Sequence, residues 1–283
     1  MTRAVTRTWY RIALARPDGG RALVAAQGEH LGVAVAAAER HAPGAHAIAV
    51  EVATGDGVPL GESVGKHHVV ELADTPELAQ APEFRWPIGV LPQLAGAGQL
   101  AALRPGYTLR PDAPLLVIEA QPDAAGLTDL FMGMLERLPV ADNLEIRVLD
   151  HFEDTGTTDV WLTSRVNAKK IIRFLDDHDD ELFGNGHVEI SIYVRAHKGT
   201  LKLTEHKTVV WLAEGRALEQ EAYAWLKELG VPRVDGLVTI TDAPHYHYRS
   251  AKSRDRKKLS ELLYRERLRR VDSFPRAARD TAG

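Results

Sequence analysis

The strongest constraint on the fold is the order of strand and helix patterns between residues 113 and 241. The clearest pattern is a strict alternation in which Val188, Ile190, Ile192 and Val194 share one side and polar residues occupy the other. Such alternation is typical of a strand that is covered on one face. Apolar stripes at helical spacing, the first over residues 127 to 138, separate the strand patterns. The whole segment therefore predicts the order β-α-β-β-α-β-β-α-β.

The first six of these elements have the order of a ferredoxin-like split βαβ unit. We therefore predict an α+β fold with two sheet-containing units, in which the second unit is ferredoxin-like and is extended by a further β-α-β. A basic helix follows at the C-terminal end. The predicted domains are a small ββαβ domain (1–73), a proline-rich apolar connector (74–114), the ferredoxin-like domain (115–243) and a basic aromatic and helical tail (244–283).

One strand pattern breaks the alternation rule. Residues 201 to 212 predict a long strand, but Glu205 and Lys207 have the same parity as the apolar Leu201 and Leu203. Either a bulge shifts the register, or the strand extends beyond the sheet, or two charged residues lie on a covered face. In the third case Glu205 and Lys207 would form a paired functional site.

Composition excludes several kinds of chemistry. The chain has no cysteine, which rules out disulfides, iron–sulfur clusters, thiolate zinc sites and cysteine nucleophiles. Phosphate-binding glycine motifs and the Gly-x-Ser-x-Gly and His-Glu-x-x-His motifs are also absent. There is no signal-peptide pattern and no apolar run of 18 residues. We therefore expect a cytoplasmic protein without a membrane partner.

Charge is divided unevenly along the chain. Residues 249 to 283 contain twelve Lys/Arg and five Asp/Glu and carry +7, which leaves −11 on the other 248 residues because the whole chain carries −4. A basic end of this kind is typical of contact with phosphate, with an acidic partner or with the acidic body of the same protein.

Three interpretations compete for the start of this basic tail, of which the plainest is a packed aromatic strand end followed by a solvated basic helix. Tyrosines beside a dense run of cations favour polyanion binding, by stacking and phosphate contact. The predicted polyanion-binding residues are Tyr246, Tyr248, Arg249, Lys252, Arg254, Arg256, Lys257 and Lys258. Alternatively, His245 and His247 project to one side of an extended chain and could hold a divalent metal together with Asp242.

Two further clusters have open interpretations. The acidic end of a predicted helix, residues 176 to 181, is either a solvated surface or a docking place for a basic segment such as the tail itself. The group Asp150, His151, Glu153 and Asp154 at a strand end is either a polar hairpin or the raw material of an acid–base or metal site.

The leading sequence-based hypothesis is a non-enzymatic binding or adaptor protein that engages an anionic partner through the tail. Nucleic acid ranks first among the anionic partners considered. The alternatives are a metal-dependent enzyme of a type that no motif identifies, and a structural subunit of a larger assembly. In the last case the connector and the tail helix would contact a protein partner or a second copy of the chain. No cofactor is predicted apart from the alternative divalent metal.

Overall fold

The computed structural model describes residues 7–53, 69–112 and 114–275. These residues form a mixed α/β protein with large antiparallel sheets. In chain order the elements are β1 (Thr8–Ala15), β2 (Arg21–Gly28), α1 (Leu31–His41), β3 (His46–Val52), β4 (Val69–Leu72), α2 (Pro76–Gln80), β5 (Val90–Pro92), β6 (Gly106–Asp112), β7 (Leu115–Gln121), α3 (Leu127–Arg137), β8 (Asn143–Val148), β9 (Thr157–Leu162), α4 (Ala168–Asp177), α5 (Asp179–Leu182), β10 (Val188–Val194), β11 (Gly199–Leu203), β12 (Val209–Glu214), α6 (Glu219–Glu228), β13 (His245–His247), α7 (Arg256–Arg265) and β14 (Arg269–Pro275).

The first sheet has four strands in the order β3-β1-β2-β4, and each pair is antiparallel. The turn between β1 and β2 contains Gly19 at φ 80°, a left-handed conformation that glycine adopts without a steric penalty. Helix α1 packs its alanine and valine stripe on this sheet. The alternation of residues 68–72 also predicts a possible fourth strand, which is present as β4, and His68 itself lies outside the described residues.

The second sheet has eight strands in the order β14-β9-β8-β10-β11-β12-β7-β6, and every neighbouring pair is antiparallel. One face is apolar and forms the main core with α3, α4, α6 and α7. On the other face Glu145, Ser191 and Lys202 lie side by side on β8, β10 and β11. Glu119 follows two strands further on, opposite Val210. The sheet therefore has a helix-covered face and a polar face.

The ferredoxin-like detail is not confirmed. In a split βαβ unit a single strand lies between the two strands that the first helix connects. Here β10, β11 and β12 all lie between β7 and β8. The alternation pattern predicts strands but not their neighbours, because pairing depends on contacts between residues far apart in sequence.

The predicted single strand over residues 201–212 is wrong. The chain forms a hairpin in which β11 and β12 pair from Gly199↔Ala213 to Leu203↔Val209. Residues 204–208 are the turn, and Lys207 has φ 62° there. The parity of Glu205 and Lys207 therefore carries no information about a sheet face, because both residues lie outside the strands.

The connector and the tail are both packed into the fold. Strand β5 of the connector pairs with β13 of the tail, and β6 forms an edge of the eight-stranded sheet. Leu259, Leu262 and Leu263 of α7 are at most 2% exposed in the main core. No helix in the described ranges is long and apolar enough to cross a membrane.

Candidate metal centre

Strand β13 presents two histidines to one side and tyrosines to the other. His245 pairs with Pro92 and His247 with Val90 in the two-stranded sheet. Because side chains alternate along a strand, both imidazoles point the same way. Tyr246 and Tyr248 pack instead with the core beneath the first sheet, where Tyr248 is only 6% exposed.

A third histidine meets this pair from the β11–β12 turn. The turn is closed by Thr204 and Thr208, whose hydroxyl oxygens are 2.8 Å apart, and by a backbone bond from Thr204 N to Thr208 O. It carries the ring of His206 against those of His245 and His247. The ring centres of His206, His245 and His247 are 5.0 Å apart in all three pairs.

This spacing suits a tetrahedral metal ion. One nitrogen from each of the three rings can be chosen so that all lie within 4.8 Å of one another. Imidazoles that bind one zinc ion through Zn–N bonds of about 2.0–2.1 Å have ring centres roughly 5 Å apart. Among the residues that the structure describes, no other group of three or more histidine and carboxylate side chains has this arrangement.

Backbone carbonyls orient two of the three rings. His245 Nδ1 lies 2.8 Å from the Ala243 carbonyl oxygen, and His247 Nδ1 lies 2.8 Å from that of Gly186. Because a carbonyl oxygen only accepts, each Nδ1 carries the proton, and each Nε2 keeps its lone pair. Metal-binding histidines are typically oriented by such a bond.

The rings of His206 and His247 are also held in the neutral form that binds metals. Burial, reinforced by neighbouring imidazoles, lowers the pKa of His206 to about 4 and that of His247 to about 2. Desolvation disfavours the imidazolium, so no proton has to leave these rings at neutral pH before an ion binds.

Asp242, which the sequence placed in the metal site, is used elsewhere. Its carboxylate accepts a hydrogen bond from Thr239 N at 2.7 Å and closes a capping box in the turn before β13. Its place beside His245 and His247 is taken by His206. Among the described residues only these three side chains are grouped as candidate ligands, and three protein ligands with an open fourth position are the pattern of catalytic rather than structural zinc sites.

Carboxylates form the outer layer behind His206. Glu205 Oε1 lies 3.6 Å from His206 Nδ1. Glu189 Oε1 forms an ion pair with Lys202 Nζ at 2.7 Å. Burial, with a hydrogen bond to Glu205, raises the pKa of Glu189 to about 7. The Glu205 carboxylate therefore places negative charge beside His206, where it offsets the cost of binding a dication.

Lys207 connects the two chain segments that position His206 and His247. Its side chain is fully buried, and Nζ donates to Asn185 O at 2.7 Å and reaches Leu182 O at 3.5 Å. The same loop supplies the Gly186 carbonyl that orients His247. Burial lowers the pKa of Lys207 to about 7. Lys207 therefore ties the turn that carries His206 to the loop that positions His247.

Replacing Lys207 with methionine should lower zinc affinity roughly 10-fold, the lower end of the loss seen for outer-shell partners. Stability should fall by about 1–3 kcal/mol, because buried carbonyls lose their donor. Calorimetric zinc titration and urea unfolding measure the two effects. Lys198→Met is the matched control, since Lys198 also has a left-handed φ, in the turn at the opposite end of β11, but is exposed. A Lys207→Met variant that is less stable but binds zinc with unchanged affinity would show a structural role alone.

Most of the predicted polyanion-binding residues lie against the body of the protein. Arg254 pairs with Glu181, Arg256 with Asp159 at 2.8 Å, and Arg249 donates to the Ser253 carbonyl. Lys252 is 3.9 Å from Asp180, so this part of the tail docks on the acidic end of helices α4 and α5. Cations that are already paired contribute less to binding of an external polyanion.

The polyanion hypothesis stays a prediction and now concentrates on Lys252, Lys257 and Lys258, whose side chains are 66–86% exposed. Replacing all three with alanine should weaken binding to mixed-sequence DNA at low salt, and should reduce the salt slope by about 1 for each phosphate that the variant no longer neutralises. Lys169→Ala/Lys170→Ala is a control with exposed lysines outside the tail. Equal DNA binding by the wild type, the triple variant and the control variant in a filter assay would contradict the hypothesis.

The chain shows no match to any protein-family model, curated protein or solved structure with which it was compared. Its function must therefore be argued from the geometry of the site. Sequence reasoning missed His206 because it lies 39 residues before His245. The broken parity around Glu205 and Lys207 was the available signal that this segment is a turn.

Proposed function

We propose that this protein binds a divalent transition metal, zinc above all, through Nε2 of His245 and His247 and one ring nitrogen of His206. The observation that carries the proposal is the equal 5.0 Å spacing of the three rings, which come from two distant segments. Neutral imidazoles suit zinc, copper, nickel and iron, whereas magnesium and calcium prefer oxygen ligands.

Three protein ligands and an open position support a metal-dependent enzyme of the hydrolytic class. A zinc ion held in this way lowers the pKa of bound water to about 7 and so supplies hydroxide near neutral pH. The chain's own contribution is to orient the rings of His245 and His247 through the Ala243 and Gly186 carbonyls and to place the Glu205 carboxylate 3.6 Å from His206 Nδ1. This proposal favours the metal alternative over the adaptor hypothesis.

Elemental analysis of protein purified without an affinity tag tests metal binding directly. We expect stoichiometric zinc that chelation removes and that calorimetry shows to rebind. Protein without stoichiometric metal, which also fails to take up added zinc, would contradict the proposal.

The open position needs its own test. Replacing zinc with Co²⁺ gives a visible spectrum that depends on the number of ligands. We expect thiocyanate to shift this spectrum, because the anion can occupy the fourth position. A cobalt spectrum that does not respond to thiocyanate would show a closed, structural site and would remove the hydrolytic part of the proposal.

A further inference from the structure

Two more histidines lie beside the three proposed ligands. The ring centre of His151 is 4.7 Å from that of His247 and 4.9 Å from that of His187. The His151–His187 separation is thus close to the 5.0 Å found within the first group, and it suits two imidazoles that share one ion. Five imidazoles from four chain segments therefore meet at one end of the eight-stranded sheet.

The pairing of β8 with β10 brings His151 and His187 together. Val148 at the end of β8 lies opposite Val188 at the start of β10. Leu149 N donates to His187 O at 2.9 Å, which fixes the chain just before His151. The ring of Phe152 stacks on that of His187 at 4.8 Å with an interplanar angle of 3°. His151 and His187 therefore lie in turns directly beside the paired ends of β8 and β10.

His187 has a buried nitrogen that is available to a ligand. Its Nδ1 has no hydrogen-bond partner in the described part of the chain. Buried polar atoms of this kind are rare in folded proteins, and a bound ion is one way in which they are satisfied. Burial, reinforced by His151, lowers the pKa of His187 to about 3, so the ring stays neutral and keeps a lone pair.

A carboxylate stands next to this pair. Asp150 Oδ1 lies 3.5 Å from His151 Nδ1. Two imidazoles and one carboxylate form a recognised ligand set for divalent metals. Glu153 and Asp154, which the sequence grouped with these residues, are exposed. In the polar loop after β8, His151 therefore lies beside the candidate metal centre, whereas Glu153 and Asp154 face the solvent.

We infer that His151, His187 and Asp150 hold a second divalent ion beside the one bound by His206, His245 and His247. This inference rests on the proposed metal function and extends it to a two-metal centre. His247 lies between the two groups, with its ring 5.0 Å from that of His206 and 4.7 Å from that of His151. In two-metal hydrolytic sites the ions stabilise both the attacking and the leaving oxygen.

The candidate ligand atoms of the second group are not as close to one another as those of the first. Only the first group already has its ligand atoms within 4.8 Å of one another among the described residues. Asp150 must therefore turn toward the ion as it binds. We accordingly expect the second ion to bind more weakly than the first, as a separate step in a titration.

Metal stoichiometry separates this inference from the proposal on which it rests. Metal-free full-length protein is titrated with zinc by calorimetry and analysed for metal after dialysis against a low free zinc concentration. We expect two ions per chain in the wild type and one in His151→Gln/His187→Gln. One ion in the wild type would overturn the second site and leave the first intact, whereas no ion would overturn both.

His46→Gln is the matched control. His46 is also a half-buried histidine with a lowered pKa and a buried ring nitrogen that lacks a partner, but it lies at the start of β3 and outside the cluster. This variant should keep two ions. If it lost one as well, the loss in the double variant would reflect general damage to the fold and the stoichiometry would not support the inference.

A measurement on the unmodified protein removes any dependence on how the variants fold. Wild-type protein is loaded with one and then two equivalents of Co²⁺ and followed by electron paramagnetic resonance. Two ions in adjoining sites should couple, so the signal per cobalt should fall at the second equivalent. A signal that simply doubles would place the second ion elsewhere and contradict the inference.

Discussion

Replacing His206 with alanine should lower zinc affinity by at least ~100-fold, beyond the 10- to 100-fold loss typical of outer-shell residues. His206 is the best residue for this test because backbone carbonyls orient the other two rings, whereas no carbonyl of the described residues does so for His206. Its removal takes away a ligand and leaves the loop that positions His247 in place. Competition with a zinc-sensitive chelator measures the affinity.

His41→Ala provides the comparison. His41 is a surface histidine at the end of α1 with a side chain that is 41% exposed, and it lies outside the centre. Its substitution should leave the zinc affinity unchanged. Equal affinity in His206→Ala and the wild type would show that the equal ring spacing is coincidental, and would remove the basis of the proposed function.

Replacing Arg256 with methionine should lower the free energy of unfolding by about 3–5 kcal/mol, the usual cost of removing one partner of a buried ion pair. Arg256 and Asp159 are 8% and 9% exposed and lie 2.8 Å apart. The guanidinium also donates to the carbonyls of Leu149 and Thr157. Methionine keeps the apolar stem but removes the donor to Asp159 Oδ2 and to these carbonyls, while Ser273 and Arg270 stay beside Asp159 Oδ1. Urea unfolding measures the effect.

The neighbouring residue is a built-in control. Lys257 lies on the same helix, is 86% exposed and makes only a long ion pair with Glu261. Lys257→Met should change stability by less than about 0.5 kcal/mol. If Arg256→Met were equally mild, Arg256 would not be what anchors α7, and the leucines of the helix alone would hold it on the core.

The same residue shows what a count of charges along the tail leaves out. Arg256 was assigned to a polyanion site because it stands in a dense run of cations. Its partner Asp159 lies 97 residues earlier, on β9, and Glu181, the partner of Arg254, lies 73 residues earlier. No local pattern contains such pairs, since they form only when distant strands and helices pack.

Local structure could be predicted from the residues alone: the alternating strands, the amphipathic helices, and the projection of His245 and His247 to one side of an extended segment. These features follow from the fixed periods of strand and helix, which any short window of residues reveals. Long-range packing sets the order of the strands, forms the hairpin that carries His206, and brings His151 and His187 to the same place. Metal coordination depends on distances of a few ångströms between segments far apart in the chain, and only long-range packing sets those distances.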